Sequence, residues 1–360
     1  MTVIRFGQGN LLTQDVEAVV NPVNCVGVLG KGLALQFKRA FPEMVEPYER
    51  ACAAGEVMPG VVHVVDRGID QHPRWILNVP TKRHWRNPSR LDDVAAGSRA
   101  LADKIRELGV RSVAVPPLGC GNGGLDWVDV RTILLAELGN LDAEVILFAP
   151  AGAPAPEDMP NRSEAPALTV ERAELLVLLA AFLRVAEPFR VAERADALAR
   201  IEIQKLAYLA QVFTGSAAHR FERGRYGPYS HGLERDLKDW EGHFVVGYGD
   251  ATDKVLELQP ILLLPDAVER AGDAVPADYG KVVDAVLNAV DGWESTYELE
   301  LLATTLFTFI EGTASSGHEA YDVIAGWSHI PTHLFTARHV AIAWEHLRSV
   351  GWLSEPVPVA

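Results

Sequence analysis

The sequence predicts an α/β domain followed by a mostly helical, acidic domain, and three observations carry that prediction. Short, β-branched apolar runs alternate with helical periods through the first 150 residues, whereas the periodicity is mainly helical from residue 167 onward. Between these regions, Ala149 to Pro166 is packed with proline, alanine and acidic residues and has no apolar period. It reads as a semi-stiff exposed linker, residues 151–166, joining domains 1–150 and 167–360. Charge divides at the same place: residues 1–150 hold 16 Lys and Arg against 17 Asp and Glu, and residues 151–360 hold 17 against 31. Each part is long enough to bury a core of its own, at roughly 100 to 200 residues per domain.

In the first domain strands are expected at Val3–Phe6, Ala18–Val23, Val61–Val65, Trp75–Val79, Ser112–Val115 and Val145–Phe148. Helices are expected between them at Lys31–Ala40, Pro42–Ala54, Leu91–Leu108 and Trp127–Leu138. Strands that are apolar nearly throughout imply a sheet covered on both faces. In the second domain helices are expected at Ala173–Ala186, Ala195–Val212, Gly280–Val290, Leu299–Phe309 and Thr332–Val350.

Composition excludes several function classes. No window comes near 18 uncharged apolar residues, which argues against a membrane partner and against an apolar leader, and the chain is expected to be cytoplasmic. Cys25, Cys52 and Cys120 form no CxxC pair, so neither a disulfide framework nor a zinc cluster is expected. His63, His72 and His84 lack paired ligand spacing and HExxH is absent, so no metal is expected. The acidic second domain, with 17 acidic against five basic residues between Glu234 and Glu311, repels nucleic acid and suits a basic protein partner; simple solubility is the alternative.

Two glycine-bearing stretches follow expected strands and lead into expected helices. Asn21 to Ala34 (NPVNCVGVLGKGLA) and Pro116 to Trp127 (PPLGCGNGGLDW) each let backbone approach a ligand closely and end in a helix N-terminus whose amides favour an anion. Neither is a Walker A loop. Paired at neighbouring strand ends, they suit a diphosphate. Lys82-Arg-His-Trp-Arg-Asn-Pro-Ser-Arg90 groups Arg83, Arg86 and Arg90 around Trp85. Cations interleaved with an aromatic suit single-stranded nucleic acid, and a solvated loop with Trp85 folded onto the core is the alternative.

The stretches VVNPVNCVGVLGKGLALQFKRAFP, LNVPTKRHWRNPS and VPPLGCGNGGLDW resemble a macrodomain, and among macrodomains most resemble DarG, the antitoxin branch of the DarTG toxin–antitoxin pairs. The resemblance covers residues 1 to about 150. It implies a mixed sheet sandwiched between helices, and an ADP-ribosyl glycohydrolase that removes ADP-ribose placed on thymidine of single-stranded DNA by the toxin DarT. No cofactor is implied, ADP-ribose being ligand and product.

On this resemblance Gln8, Gly9, Asn10 and Leu11 lie near the adenine, with Asn10 standing where many members have Asp; a turn asparagine is the alternative. Asn24 meets the distal ribose, and Asn21 more readily fixes the loop, Asx-turn chemistry being the alternative for both. Gly30, Lys31, Gly32, Leu33, Ala34 and Leu35 bring amides to the phosphates. Thr81 lies beside them, and Leu118, Gly119, Cys120, Gly121, Asn122 and Gly123 close from the other side. Lys82 is the candidate catalytic residue. It either attacks the anomeric carbon as an amine or stays protonated and stabilises charge leaving on the base. Related terminal ADP-ribose protein glycohydrolases pair this lysine with an aspartate in the second glycine loop. Here Gly123 stands at that position, and Asp126 at the following helix start suits capping. Arg83, Trp85, Arg86 and Arg90 are candidate DNA contacts.

In the second domain, Glu202 to Gln211 (EIQKLAYLAQ) followed by Gly224 to Ser230 (GRYGPYS) is similar to the SocA-like, or Panacea, antitoxin pattern. Leu206, Tyr208 and Leu209 are expected to pack a helix, and Gly227-Pro228 to make a turn. That motif is expected to be structural; toxin binding by this part is implied by the resemblance to DarG, whose C-terminal part binds the toxin, together with the acidic charge. Two competing readings remain: an ADP-ribose reader, and a hydrolase of ADP-ribose esters on protein side chains.

Overall fold

A computed structural model of the chain describes residues 3–190, 196–250, 260–327 and 335–353. The described residues divide into two compact units, one running to Glu164 and taking in Gly249 and Asp250, the other comprising Ala165 to Tyr248 and the residues from 260 on.

The first unit contains β1 (Val3–Phe6), β2 (Ala18–Asn24), β3 (His63–Asp66), β4 (Trp75–Lys82), β5 (Ser112–Val115) and β6 (Glu144–Leu147) in one sheet, ordered β1-β6-β5-β2-β4-β3. All neighbours are parallel except β3 and β4. Its helices are α1 (Gly32–Ala40), α2 (Val45–Ala53), α3 (Leu91–Leu108) and α4 (Trp127–Leu138). On β2 successive side chains enter opposite cores. Ala18 and Val20 pack with Val94, Leu101, Val130 and Leu134 of α3 and α4, while Val19 and Val23 pack with Phe37 of α1, Tyr48 of α2 and Met44 between them. Both faces of the inner strands β2, β4, β5 and β6 being covered, alternating polar residues have little place there, which is why they read as nearly continuous apolar runs. The mixed sheet between helix layers is the macrodomain architecture. The stretch expected to be one helix from Pro42 is instead a 3₁₀ turn (Pro42–Met44) followed by α2.

Parallel pairing puts the carboxyl ends of β2, β4 and β5 at one edge, where α/β sheets bind ligands. The β2–β4 register runs from Ala18 opposite Trp75 to Val23 opposite Pro80, then slips so that Asn24 faces Lys82.

The second unit holds α5 (Val170–Ala186), α6 (Arg200–Thr214), α7 (His231–Trp240), α8 (Pro265–Ala274), α9 (Gly280–Val290), α10 (Thr296–Ile310), α11 (Gly317–Ala325) and α12 (Ala337–Ser349). Short strands accompany them: β7 (Ala197–Leu198), β8 (Glu222–Gly224), β9 (Gly227–Tyr229), β10 (Val245–Val246) and β11 (Ile261–Leu263). α10 is central, packing against α6, α11 and α12. α7, α8, α11 and the strands β8 to β11 lie outside the expected elements, and β7 replaces the start of an expected helix. The helix expected from Ala195 starts instead at Arg200, after β7, and Ala195 and residues 332–334 lie outside the described residues.

The KLAYLA…YGP pattern is architectural. Leu206, Tyr208 and Leu209 are buried on α6, as expected. Arg225 and Tyr226 make the turn, whereas Gly227-Pro228, expected to be the turn, opens β9. Lys205 on α6 is 1 % exposed and donates to the Tyr226 and Pro228 carbonyls, the latter at 2.8 Å. Gly227 has φ +78°, and a β-carbon there would run into the Thr304 hydroxyl of α10.

Candidate active site

Lys82 ends β4 half-buried, at the carboxyl edge of the sheet. Its Nζ donates to the Asn122 carbonyl at 2.5 Å and to the Trp85 carbonyl at 3.4 Å, so the ammonium spans the second glycine loop and the basic loop. Burial lowers its pKa, and the nearby positive charge of Lys31 lowers it further. The first glycine loop meets the same strand end, where the Cys25 amide donates to the Lys82 carbonyl at 3.1 Å. Lys82, Cys25 and Asn122 are thus brought together from three separate stretches of chain.

The first loop is folded by Asn24. Its Oδ1 accepts from the Val26 and Val28 amides at 3.0 and 3.3 Å, and its Nδ2 donates to the Val28 carbonyl at 2.6 Å. The asparagine thus forms the Asx turn that shapes the loop. The Tyr48 hydroxyl donates to the Asn24 carbonyl at 2.5 Å, and burial pushes its pKa far up, keeping it a neutral donor. Asn21 is fully buried, with Nδ2 donating to Asn78 Oδ1 at 2.9 Å, so it braces β2 against β4. Gly30 and Lys31 are exposed, Gly32 and Leu35 are buried, and Leu33 and Ala34 are half-buried at the start of α1. The Gly32 amide donates to the Asp250 carbonyl at 2.8 Å, and Gln36 Nε2 donates to the Asp250 carboxylate at 2.7 Å.

Asn10 sits in a turn, the alternative given for it. Its Oδ1 caps a 3₁₀ turn (Leu11–Thr13) by accepting from Leu12 N at 2.9 Å, and its Nδ2 donates to the Asp158 carbonyl at 2.8 Å. The amide is used as a turn asparagine. Leu11 lies in the core; Gly9, at φ +76°, and Gln8 lead into the turn.

In the second loop Leu118 and Gly119 are buried, Cys120 is half-buried with its thiol pushed up to about 11 by burial, and Gly121 and Asn122 are exposed. Gly123 is buried, and a β-carbon there would overlap the Ser89 hydroxyl and the Gly119 carbonyl. No side chain fits at the position where related glycohydrolases carry the aspartate. Asp126 caps α4, accepting from Val128 N at 2.7 Å. Thr81 is buried beside Lys82.

The basic loop is heterogeneous. Arg83 makes a bidentate pair with Asp93 of α3, at 3.1 and 3.0 Å, which holds the Asp93 carboxyl below its ordinary range. Trp85 is 46 % exposed, so it is not folded onto the core; Arg86 lies 4.5 Å from its ring centroid and His84 stacks at 5.6 Å. Arg86 and Arg90 are exposed. Sequence reasoning missed Asp93, Ser89, Tyr48 and Asn78, all distant in sequence from the groups they hold. Among the described residues no cluster of three His, Cys, Asp or Glu side chains suits a metal, and no helix is long and apolar enough to cross a membrane.

The Macro domain family matches residues 20–134. The DNA ADP-ribosyl glycohydrolase of Mycobacterium tuberculosis is 40 % identical over 350 residues, covering 96 % of this chain and 99 % of that protein. The chain belongs to the DNA ADP-ribosyl glycohydrolase family. The solved macrodomain of Mycobacterium tuberculosis DarG is 52 % identical and covers 42 % of this chain and all of that one, with a TM-score of 0.41. A Thermosipho africanus DNA ADP-ribosyl transferase–glycohydrolase fusion protein is 32 % identical over 158 residues, 40 % of this chain and 41 % of that protein. As a DarG-like family member, the chain extends the match to the Mycobacterium protein through both of its units.

Proposed function

We propose that this family member removes ADP-ribose from thymidine of single-stranded DNA, with Lys82 as the catalytic residue, and that residues 167–360 bind the DarT toxin. The observation that carries the first part is the Lys82 ammonium, held by the Asn122 and Trp85 carbonyls between the second glycine loop and the basic loop. Its two acceptors favour the cation, and no side chain at position 123 is available to deprotonate it. Lys82 therefore acts by charge. Water adds to the anomeric carbon as the bond to the thymine imide nitrogen breaks, the departing anion is stabilised by the ammonium, and the proton from water ends on the base. The loop amides hold the diphosphate. Trp85 and Arg86, exposed next to Lys82, suit a flanking base and phosphate; Arg83, held by Asp93, serves to fix the loop.

For toxin binding, the support is the acidic excess of residues 151–360 and the fusion relative, in which a transferase and a glycohydrolase share one chain. An acidic surface suits the basic groove in which a DNA-modifying enzyme holds its substrate.

The test is incubation of the full chain, parent and Lys82→Ala, with an oligonucleotide ADP-ribosylated on thymidine. Release of ADP-ribose by the parent and loss of about 10²-fold or more in the variant is expected; equal release by both refutes the role of Lys82. Co-purification of DarT with the full chain at low salt, weakening as salt rises, is expected for the second part. Absence of binding at low salt refutes it.

A further inference from the structure

We propose that Ser89 is a positioning residue for Lys82, acting through Gly123, an inference that rests on the catalytic reading of Lys82. Ser89 is 7 % exposed and its hydroxyl has no hydrogen-bond partner. A buried hydroxyl left unbonded is unfavourable, so electrostatics does not account for its place there. Its contacts do. The Ser89 amide donates to the Gly123 carbonyl at 2.9 Å, and the Ser89 hydroxyl fills the space that a β-carbon on Gly123 would need. A β-carbon on Gly119 would also lie 3.1 Å from Ser89 Cβ and Oγ, so the serine is wedged against both ends of the turn.

That turn carries the Lys82 acceptor. Asn122 precedes Gly123, and its carbonyl receives the Lys82 ammonium at 2.5 Å. The turn is closed by Gly124 N to Gly121 O and Leu125 N to Gly119 O, both at 3.1 Å, so it moves as a piece. Ser89 and Trp85 belong to the loop that begins at Lys82, and the Trp85 carbonyl is the ammonium's second acceptor. Ser89 therefore joins the two loops that hold the ammonium. Enlarging either side of the Ser89–Gly123 contact pushes the Asn122 carbonyl away from Nζ. The cation then loses an acceptor, moves, and gives up its proton at lower pH.

The experiment uses the full chain and the thymidine-modified oligonucleotide, and measures kcat, KM, the pH dependence of kcat and the unfolding midpoint. Variants are Ser89→Thr, Gly123→Ala, the double variant Ser89→Ala with Gly123→Ala, and Lys82→Ala. Ser89→Thr is expected to lower kcat about 10-fold at nearly constant KM and to move the alkaline limb to lower pH, since small displacements of a reacting group are costly. Gly123→Ala should lose more, and the double variant should recover part of that loss, because one of its two overlaps is removed. A folded Ser89→Thr with unchanged kcat and alkaline limb overturns the proposal, as does a double variant no better than Gly123→Ala. If Ser89→Thr does not fold, the comparison of Gly123→Ala with the double variant decides. Full activity in Lys82→Ala would instead remove the reading on which the proposal stands.

Discussion

Replacing Lys205 by Met tests whether the KLAYLA…YGP pattern is architectural. Methionine keeps the length and apolar character of the stem while removing the ammonium. Two carbonyls, of Tyr226 and Pro228, then lose their donor inside the unit. Burial already pushes the Glu300 carboxyl up and the Lys205 ammonium down, so neither group is easily charged alone. Leaving a buried acceptor without its donor costs about 1 to 3 kcal/mol, so the two carbonyls together cost about 2 to 6 kcal/mol. In a unit of this size that corresponds to a fall in Tm of roughly 4 to 24 °C. The assay is thermal unfolding of the full chain followed by circular dichroism, with DarT co-purification and ADP-ribose release measured below the transition. Stability should fall while release from DNA persists, because Lys82 lies in the other unit. A Tm within 2 °C of the parent, at the low end of what 1 kcal/mol does, would refute the reasoning and make the motif a surface for partners.

Three further outcomes are expected. If Lys82 works as a cation, kcat falls on the alkaline side with an apparent pKa below the ordinary lysine value of 10.5; a rise there would mean the neutral amine is the active form. Trp85→Ala should weaken the oligonucleotide substrate by about 1 to 3 kcal/mol, the worth of one base on an aromatic ring, seen as a raised KM, and should leave free ADP-ribose affinity in calorimetry unchanged. Asp93→Asn should lower stability at pH 7. Since the Asp93 carboxyl is held low in the folded state, its stabilisation exists above the unfolded carboxylate value of about 3.9 and is lost as pH falls through the lower folded value. Parent and variant unfolding midpoints should therefore converge in acid.

The first unit was legible because its inner strands β2, β4, β5 and β6 are buried on both faces, and such apolar runs could hardly belong to anything but a covered sheet. The second unit was less so. α7 shows only Leu233, Leu237 and Trp240 as buried apolar positions in ten residues, and α8 buries two alanines, signals too thin to separate from loop. At the site, glycines and Lys82 stood out because their chemistry is unusual at strand ends. Asn10 and Asn24 were visible, but whether an amide serves a ligand or a turn depends on which backbone groups the fold brings within 3 Å of it. Ser89 against Gly123 and Tyr48 on Asn24 are tertiary meetings across 34 and 24 residues, and no periodicity encodes them.

The slip in register that sets Asn24 opposite Lys82 constrains how genes of this lineage can change length. Side chains on a strand alternate between faces, so deleting or adding one residue within β4 would turn Lys82 toward the opposite helix layer and exchange every core position upstream of it. A change of length is therefore tolerated in the segment after Asp66, where Gly68 to Gln71 loops through solvent, and not within the eight residues of β4.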